Sequence, residues 1–278
     1  MQDSEDRTAG VLLGLAAGDR IGGPARMALR VAESLRERGG VDVSDIGERY
    51  LAWWHEGAFD TGPTTGGVLS LVATGATFER AAIRVDARAG GMTAGCNPAH
   101  RSAPLAMCAS IADAELCRAA VAEARLTHRH PLAGDVAAAV ACLCRALIRG
   151  APWSLAISLA AQGRSAETRR ALELPPSNAL SRSGFAPEAL GAGVYFVAAS
   201  SSFASALAQS IDFAGAANYC PVLVGSIGGA RWGSTRIEES ALHHHGDLVP
   251  RLKATAGALA RTWRTAETCR FRQSAPQS

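Results

Sequence analysis

The chain lacks several features whose absence narrows what it can be. It has no run of about twenty uninterrupted apolar residues, so no segment reads as a membrane span. Its first ten residues, MQDSEDRTAG, are acidic and polar, which is not the pattern of a secretory leader. Excess charge is missing too: 28 Lys and Arg against 25 Asp and Glu leave a net charge of +3, and the pI is near 8.6. No basic block is interleaved with aromatics, so nucleic acid is not the expected partner. Seven cysteines stand at 96, 108, 117, 142, 144, 220 and 269 without a pair at zinc-finger spacing. Cys142 and Cys144 fall in an apolar helical run and read as small packed hydrophobes. Together these absences predict a reduced, cytoplasmic setting with no membrane and no nucleic acid. Internal repeats, linkers and the alternation expected of half-buried strands are also absent.

What remains is a chain of 278 residues, 48% hydrophobic and 19% charged, which is ordinary composition for a globular unit with a sizeable core. The expected fold class is all-α. The clearest helix is GDVAAAVACLCRALIRG (134–150), with Val136, Val140, Leu143 and Leu147 on one face and Gly150 as its stop. Others are PARMALRVAESLRERGG, closed by Gly39 and Gly40; SDIGERYLAWWHEG, with Ser44 as N-cap; and APEALGAGVYFVAAS, with Pro187 in its first turn. Roughly ten to twelve helices are expected, and the abundance of Ala and Gly predicts close helix–helix contacts. Residues 1–265 read as one domain, residues 171–185 as a surface connection within it, and 266–278 as a frayed tail.

Four stretches gather polar residues that packing does not require. In GVLLGLAAGDRIGGP (10–24) an apolar helix with small residues at Gly14, Ala17 and Gly18 runs into Asp19, which reads as a capping acid. In HEGAFDTGPTTGGVL (55–69) Asp60 precedes a Gly-Pro turn, and Thr64 and Thr65 open the next helix. Asp60 has two readings: an acid facing that helix dipole, or a carboxylate holding a guanidinium or hydroxyl-rich ligand. AGCNPAHRSAPL (94–105) offers Asn97, His100 and Arg101, either as a structural loop or as hydrogen-bonding groups for a ribose or phosphate. In LTHRHPLAGD (126–135) Thr127 and His128 end a helix, where an imidazole can satisfy the last carbonyls. The LHHHGD stretch (242–247) reads as a surface loop, since three consecutive imidazoles cannot converge on one point.

In this order the stretches resemble the ADP-ribosylglycohydrolase family, most closely its bacterial dinitrogen reductase-activating branch. GVLLGLAAGDRIG is similar to that family's G-x-x-x-G-L-A-x-G-D-A-x-G opening, FDTGPTT to its D-x-G-x-T, and AGCNPAHRSAPL to its G-N-G-A-A-M-R-x-x-P. LTHRHPLAGD resembles its I-T-H-x-H-P, and IDFAGAANYCPVLVGSIGGARWG its N-x-G-G-D-x-D-T followed by a glycine-spaced helix. The resemblance implies an orthogonal all-α bundle with a central cleft, and hydrolysis of an N-glycosidic bond to ADP-ribose assisted by two divalent metals. The implied ligands are missing. Only Ala25 and Arg26 stand between Pro24 and Met27, where the family carries a longer segment ending in T-D-D-T. Aligned on Gly215, Ala216 and Asn218 replace two acids and Tyr219 replaces a threonine.

Neutral side chains cannot supply the anionic oxygens that hard divalent cations require, so no metal and no other cofactor is expected. The expected activity is that of a metal-independent, repurposed hydrolase- or lyase-type enzyme. Its substrate would be a small nucleotide, N-glycoside or guanidine-bearing metabolite, and biosynthesis is one setting in which it would serve. Asp60, His100 and His128 are its candidate catalytic residues; Asn97, Arg101, Thr64, Asn218 and Tyr219 are its candidate substrate contacts. The alternatives are a non-catalytic protein that binds ADP-ribose or an ADP-ribosylated partner, and a conventional ADP-ribosyl hydrolase.

Overall fold

The structure, a computed structural model, describes residues 4–174 and 176–273, with 264–273 as backbone alone. Fourteen α-helices follow one another among the described residues. The N-terminal half holds α1 (Ser4–Gly18), α2 (Gly23–Arg38), α3 (Val43–His55), α4 (Gly62–Ala73), α5 (Phe78–Arg88), the single turn α6 (Asn97–Arg101) and α7 (Asp113–Ala124). The C-terminal half holds α8 (Pro131–Ile148), α9 (Trp153–Ala161), α10 (Ala166–Leu172), α11 (Ala186–Ala199), α12 (Phe203–Ala214), α13 (Tyr219–Trp232) and α14 (Val249–Gln273). Among the described residues no strand forms, and the one isolated bridge pairs Gly95 with Phe185. The fold is the all-α bundle that the helical periodicity predicts. The last helix runs past the start of the expected tail as far as Gln273, and residues 274–278 lie outside the described residues.

Local chemistry sets the helix ends. Gly39 stops α2 in the left-handed region (φ 71°) with its amide on the Leu35 carbonyl, as only an unhindered residue does cheaply. The cap of α3 is not Ser44 but Asp42, whose carboxylate accepts the Asp45 amide at 3.0 Å. Asp42 wins because its side chain reaches the third amide of the helix, whereas Ser44 already lies inside the first turn. α8 begins earlier than the sequence pattern predicts, at Pro131, with the His130 Nδ1 accepting the Leu132 amide at 3.2 Å.

The centre of the bundle is the antiparallel contact of α1 with α13. Gly10, Gly14 and Gly18 recur every four residues on α1 and face Gly229, Gly225 and Pro221 on α13. A Cβ on Gly14 would stand 2.2 Å from the Gly225 carbonyl oxygen, and one on Gly225 would stand 2.0 Å from that of Gly14. The two backbones therefore touch without side chains between them, closer than ordinary ridge-and-groove packing allows. α2, α8, α11, α12 and α14 surround this pair.

α8 is the one helix among the described residues long and apolar enough to cross a membrane by length and composition, yet 78% of that window is buried inside the bundle. Its buried Arg145 donates to the carbonyls of Leu105, Ala106, Cys108 and Ile111, pinning the short 3-10 segment after α6. A small satellite core of Val68, Ala81 and Ala82 joins α4 to α5 beside the main bundle.

Two expectations about minor features change. His243–His245 is a 3-10 turn in which His245 is fully buried rather than part of a surface loop. Its Nε2 donates to the Ala16 and Asp19 carbonyls at 2.9 and 2.7 Å, closing the C-terminus of α1. Cys144 is buried as expected, but Cys142 is only half-buried and sits against the thiol of Cys117.

The α1–α13 contact makes a quantitative prediction. Gly225→Ala should lower stability by at least about 3 kcal/mol, the upper end of overpacking costs, because only backbone can give way. Gly40→Ala, with nothing within 4 Å of the added carbon, should be near neutral. Thermal denaturation of both variants checks the contrast.

Candidate functional site

A cleft of about 640 Å³ opens beside the α1–α13 crossing. It is lined by Asp60 and Thr61–Thr65 from the start of α4, by Gly90–Met92 and Ala94–Asn97, by His100, His128 and His130, by Gly184 and Phe185, and by Asn218 and Tyr219 at the start of α13. The wall at residues 94–97 is stitched to residues 184–186: the Cys96 amide donates to the Gly184 carbonyl and the Ala186 amide to that of Ala94, both at 2.9 Å.

Asp60 is the only formally charged residue among the described residues lining the cleft. It is also the only non-glycine residue with positive φ among them, at 51°, a conformation that costs of order 1–3 kcal/mol and persists only where the surroundings impose it. Those surroundings are the Gly22-Gly23 turn. The Gly23 amide donates to Asp60 Oδ2 at 3.2 Å, and a Cβ on Gly23 would stand 2.2 Å from the Asp60 carbonyl oxygen. The acid therefore does not cap α4, where Thr61 holds the N-cap position; its carboxylate accepts from the Gly23 amide instead. Burial and then the nearby Asp19 carboxylate raise its pKa above the ordinary value, opposed by the Gly23 amide.

Asp19 lies outside the cleft lining and is fully enclosed. Its carboxylate accepts the amides of Ile21, Gly22 and Ala25 at 3.1, 2.8 and 2.7 Å, and the Asn218 side-chain amide at 2.6 Å. It caps its own turn, as the sequence reading favours, and also ties that turn to α13. Asn218 is used on both sides, since its Oδ1 accepts the Arg20 amide at 3.2 Å. Tyr219 keeps its ring in the cleft, 42% exposed, flat against Gly184; its backbone carbonyl accepts from His100 Nε2 at 2.9 Å.

A carbonyl cannot donate, so the proton of neutral His100 lies on Nε2 and Nδ1 carries the lone pair. Burial pushes the His100 pKa down to about 4. His128 is likewise buried and held well below its ordinary value, first by burial and then by Arg101. Its Nδ1 pairs with Thr127 Oγ1 at 2.8 Å and its Nε2 faces Gly95, where a Cβ would stand 3.3 Å away. The ring does not satisfy helix carbonyls, because α7 ends at Ala124 and the following turn carries His128 over to the cleft.

Arg101 does not reach the cleft. It is fully buried, with Nε on Glu123 Oε1 at 2.7 Å and Nη1 on Asn97 Oδ1 at 2.6 Å. Glu123 Oε1 also accepts the Tyr50 hydroxyl at 2.7 Å, and Arg101 lies over the Tyr50 ring at 5.2 Å. A buried charge needs such a partner, and α7 supplies it. Asn97 Oδ1 accepts a second bond from Thr65 Oγ1 at 3.2 Å. With its oxygen engaged twice, Asn97 presents its amide nitrogen to the cleft. Of the residues singled out from sequence, Asp60, Thr64, Asn97, His100, His128, Asn218 and Tyr219 meet in the cleft, and Arg101 supports it from behind. Sequence reasoning missed His130, Phe185 and the Glu123–Tyr50 support. The H-x-H spacing signals His130; nothing local signals a buried ion pair between separate helices.

The donor set does not fit a pair of divalent cations. Hard ions take several anionic oxygens, and the cleft offers one carboxylate whose Oδ2 already accepts an amide. Asp19 is saturated by four donors, and Asn218 turns its NH2, not an acid, toward it. No group of three or more His, Cys, Asp and Glu side chains among the described residues is arranged to hold a metal ion. What the cleft does provide is one carboxylate, three imidazoles, amide and hydroxyl donors, and two exposed aromatic rings.

The family model described as ADP-ribosylglycohydrolase matches residues 25–269 of the chain. A solved structure described as an ADP-ribosylglycohydrolase-related protein complex superposes with a TM-score of 0.74 at 26% identity, over 94% of this chain and 99% of that one. No curated protein matches.

The two buried imidazoles set a pH dependence. A histidine whose folded pKa lies below its unfolded value of about 6.5 lets the unfolded chain bind more protons in between, so stability is complete above that pH and falls as pH drops toward the folded pKa. His100 alone accounts for about 3 kcal/mol between pH 6.5 and 4 on this basis. The expected result is a melting temperature that falls between pH 7 and 5, with a shallower slope in His100→Gln.

Proposed function

From the premise that the chain belongs to the ADP-ribosylglycohydrolase family, we propose that its cleft takes a small ligand in which a ribose-type sugar is joined to a cationic, guanidine-type nitrogen, and that it hydrolyses that bond without a dinuclear metal centre. The observation that carries this reading is the charge of the cleft: among the described residues Asp60 is the sole formal charge on its lining, and no arginine or lysine accompanies it. A lone, partly desolvated carboxylate favours a cation, and a guanidinium can meet it with two parallel N–H bonds. A half-buried carboxylate met by one amide is a group that a cationic ligand would stabilise.

The chemistry follows from the neighbours. Sugar hydroxyls fit the Asn97 amide and the Thr64 hydroxyl, and the faces of Tyr219 and Phe185 offer stacking surface. Water adds to the anomeric carbon as the carbon–nitrogen bond breaks; its hydroxyl stays on the sugar and its proton ends on the departing nitrogen. His100 Nδ1, on a ring held neutral by burial, is the lone pair available to carry that proton, and His128 is the second buried imidazole on the lining. Asp60 holds the leaving group and shares in the transfer.

The competing reading is a binding protein that retains ribosyl ligands without turnover. Its support is that Asn218, and Nε2 of His100, are spent on internal hydrogen bonds.

Calorimetry and product analysis with ADP-ribosyl-arginine and with agmatine test the proposal. Expected are binding of both ligands, release of ADP-ribose that EDTA leaves unchanged, and roughly ten- to hundred-fold weaker binding in Asp60→Asn, the worth of a hydrogen bond to a charged group. EDTA-sensitive release, or an unchanged Asp60→Asn variant, would overturn it. Binding without release would select the competing reading.

A further inference from the structure

Away from the cleft, α7 and α8 bring two thiols together. Cys117 Sγ and Cys142 Sγ lie 2.9 Å apart, each on a half-buried residue, although 25 residues separate them in sequence. The sulfurs of a disulfide are about 2.05 Å apart, so less than an ångström of closure separates this pair from a covalent bond. The other described cysteines, 96, 108, 144 and 220, are buried.

The surroundings favour a thiolate. Arg164 lies beside the pair, held by Asp135 at 3.1 Å, and the Ser165 amide occupies the other Asp135 oxygen at 2.9 Å. The hydrogen bond from Cys142, with Arg164 assisting against burial and Asp135, lowers the Cys117 pKa to about 6, while that of Cys142 rises. With the two sulfurs this close, a mixed disulfide formed on one lies within reach of the other.

We propose that Cys117 and Cys142 form a reversible redox pair whose co-substrate is a small disulfide of the glutathione type. The Cys117 thiolate attacks one sulfur of the oxidant, forming a mixed disulfide and expelling one thiolate. Cys142, giving up its proton, attacks the Cys117 sulfur and expels the second. The two protein thiols lose two electrons and two protons, and the small disulfide becomes two thiols.

The bond would close the α7–α8 hairpin around the turn that carries Thr127, His128 and His130. Its consequence is mechanical: the turn holding two cleft imidazoles is stapled from behind, and the unfolded chain is constrained by a loop of intermediate length. This inference does not depend on the proposed reaction, because the pair lies outside the cleft lining.

The experiment is oxidation of the full-length protein with glutathione disulfide, alkylation of remaining thiols, and peptide mass spectrometry. A Cys117–Cys142 linkage is expected in the wild type, with loss of two alkylatable thiols and a melting temperature raised by roughly 5–10 °C, reversed by dithiothreitol. Cys142→Ser should stop at a glutathione adduct on Cys117, and Cys144→Ser should oxidise as the wild type does. A wild type that keeps both thiols, holds a stable adduct on Cys117 without resolving it, or pairs other cysteines would overturn the proposal. Because the mass-spectrometric readout is made on the unaltered chain, it stands even if a variant fails to fold.

Discussion

The direct contact of the α1 backbone with that of α13 is the constraint on which the rest of this structure depends. Because glycines on α1 and glycines on α13 meet in antiparallel register, the C-terminus of α1 is delivered to the N-terminus of α13. Asp19 follows Gly18 directly, and Asn218 precedes Tyr219, so their meeting at 2.6 Å is fixed by helix packing and not by loop conformation. Asp19 then orders the Gly22-Gly23 turn, that turn presses on Asp60, and Asp60 adopts its left-handed backbone. A carboxylate in the cleft is in this sense positioned by glycines at the other end of a helix.

The same chain of contacts accounts for how charge is distributed. Burying a charge is tolerable only when its lone pairs and protons are met. Asp19 is met by backbone amides and by Asn218, and Arg101 by Glu123 and Asn97; Arg145 is met by carbonyls and by Asp113. Asp60 is met by a single amide. It is half-buried and lines the cleft, whereas Asp19, Arg101 and Arg145 are enclosed.

The fold was legible because its signals are local and periodic. Glycines four residues apart, apolar helix faces and glycine stops each act within a turn or two, and the all-α reading follows from them. The cleft was legible in part: Asp60, Asn97, His100 and His128 stand in turn-rich segments where polar side chains have no packing duty. Arg101 was misplaced because its partner, Glu123, sits on another helix, and nothing in a window of sequence distinguishes a ligand-facing arginine from one that closes a buried ion pair. The same reason hid the burial of His245, whose role is set by the end of α1. Ser44 yielded to Asp42 as a cap within two residues, where side-chain reach decides and the alphabet of capping residues does not.

Asn218 shows how one neutral side chain fixes the junction of two helices behind the cleft. An acid at that position would place a second carboxylate against Asp19, and without a cation between them the two negative charges would repel in a desolvated setting. An asparagine of nearly the same size replaces that repulsion with a hydrogen bond and leaves the helix crossing untouched. The asparagine therefore stabilises the junction through a neutral hydrogen bond to Asp19. Asp60 is then the carboxylate left on the cleft lining among the described residues, and the proposed preference for a cationic ligand rests on it.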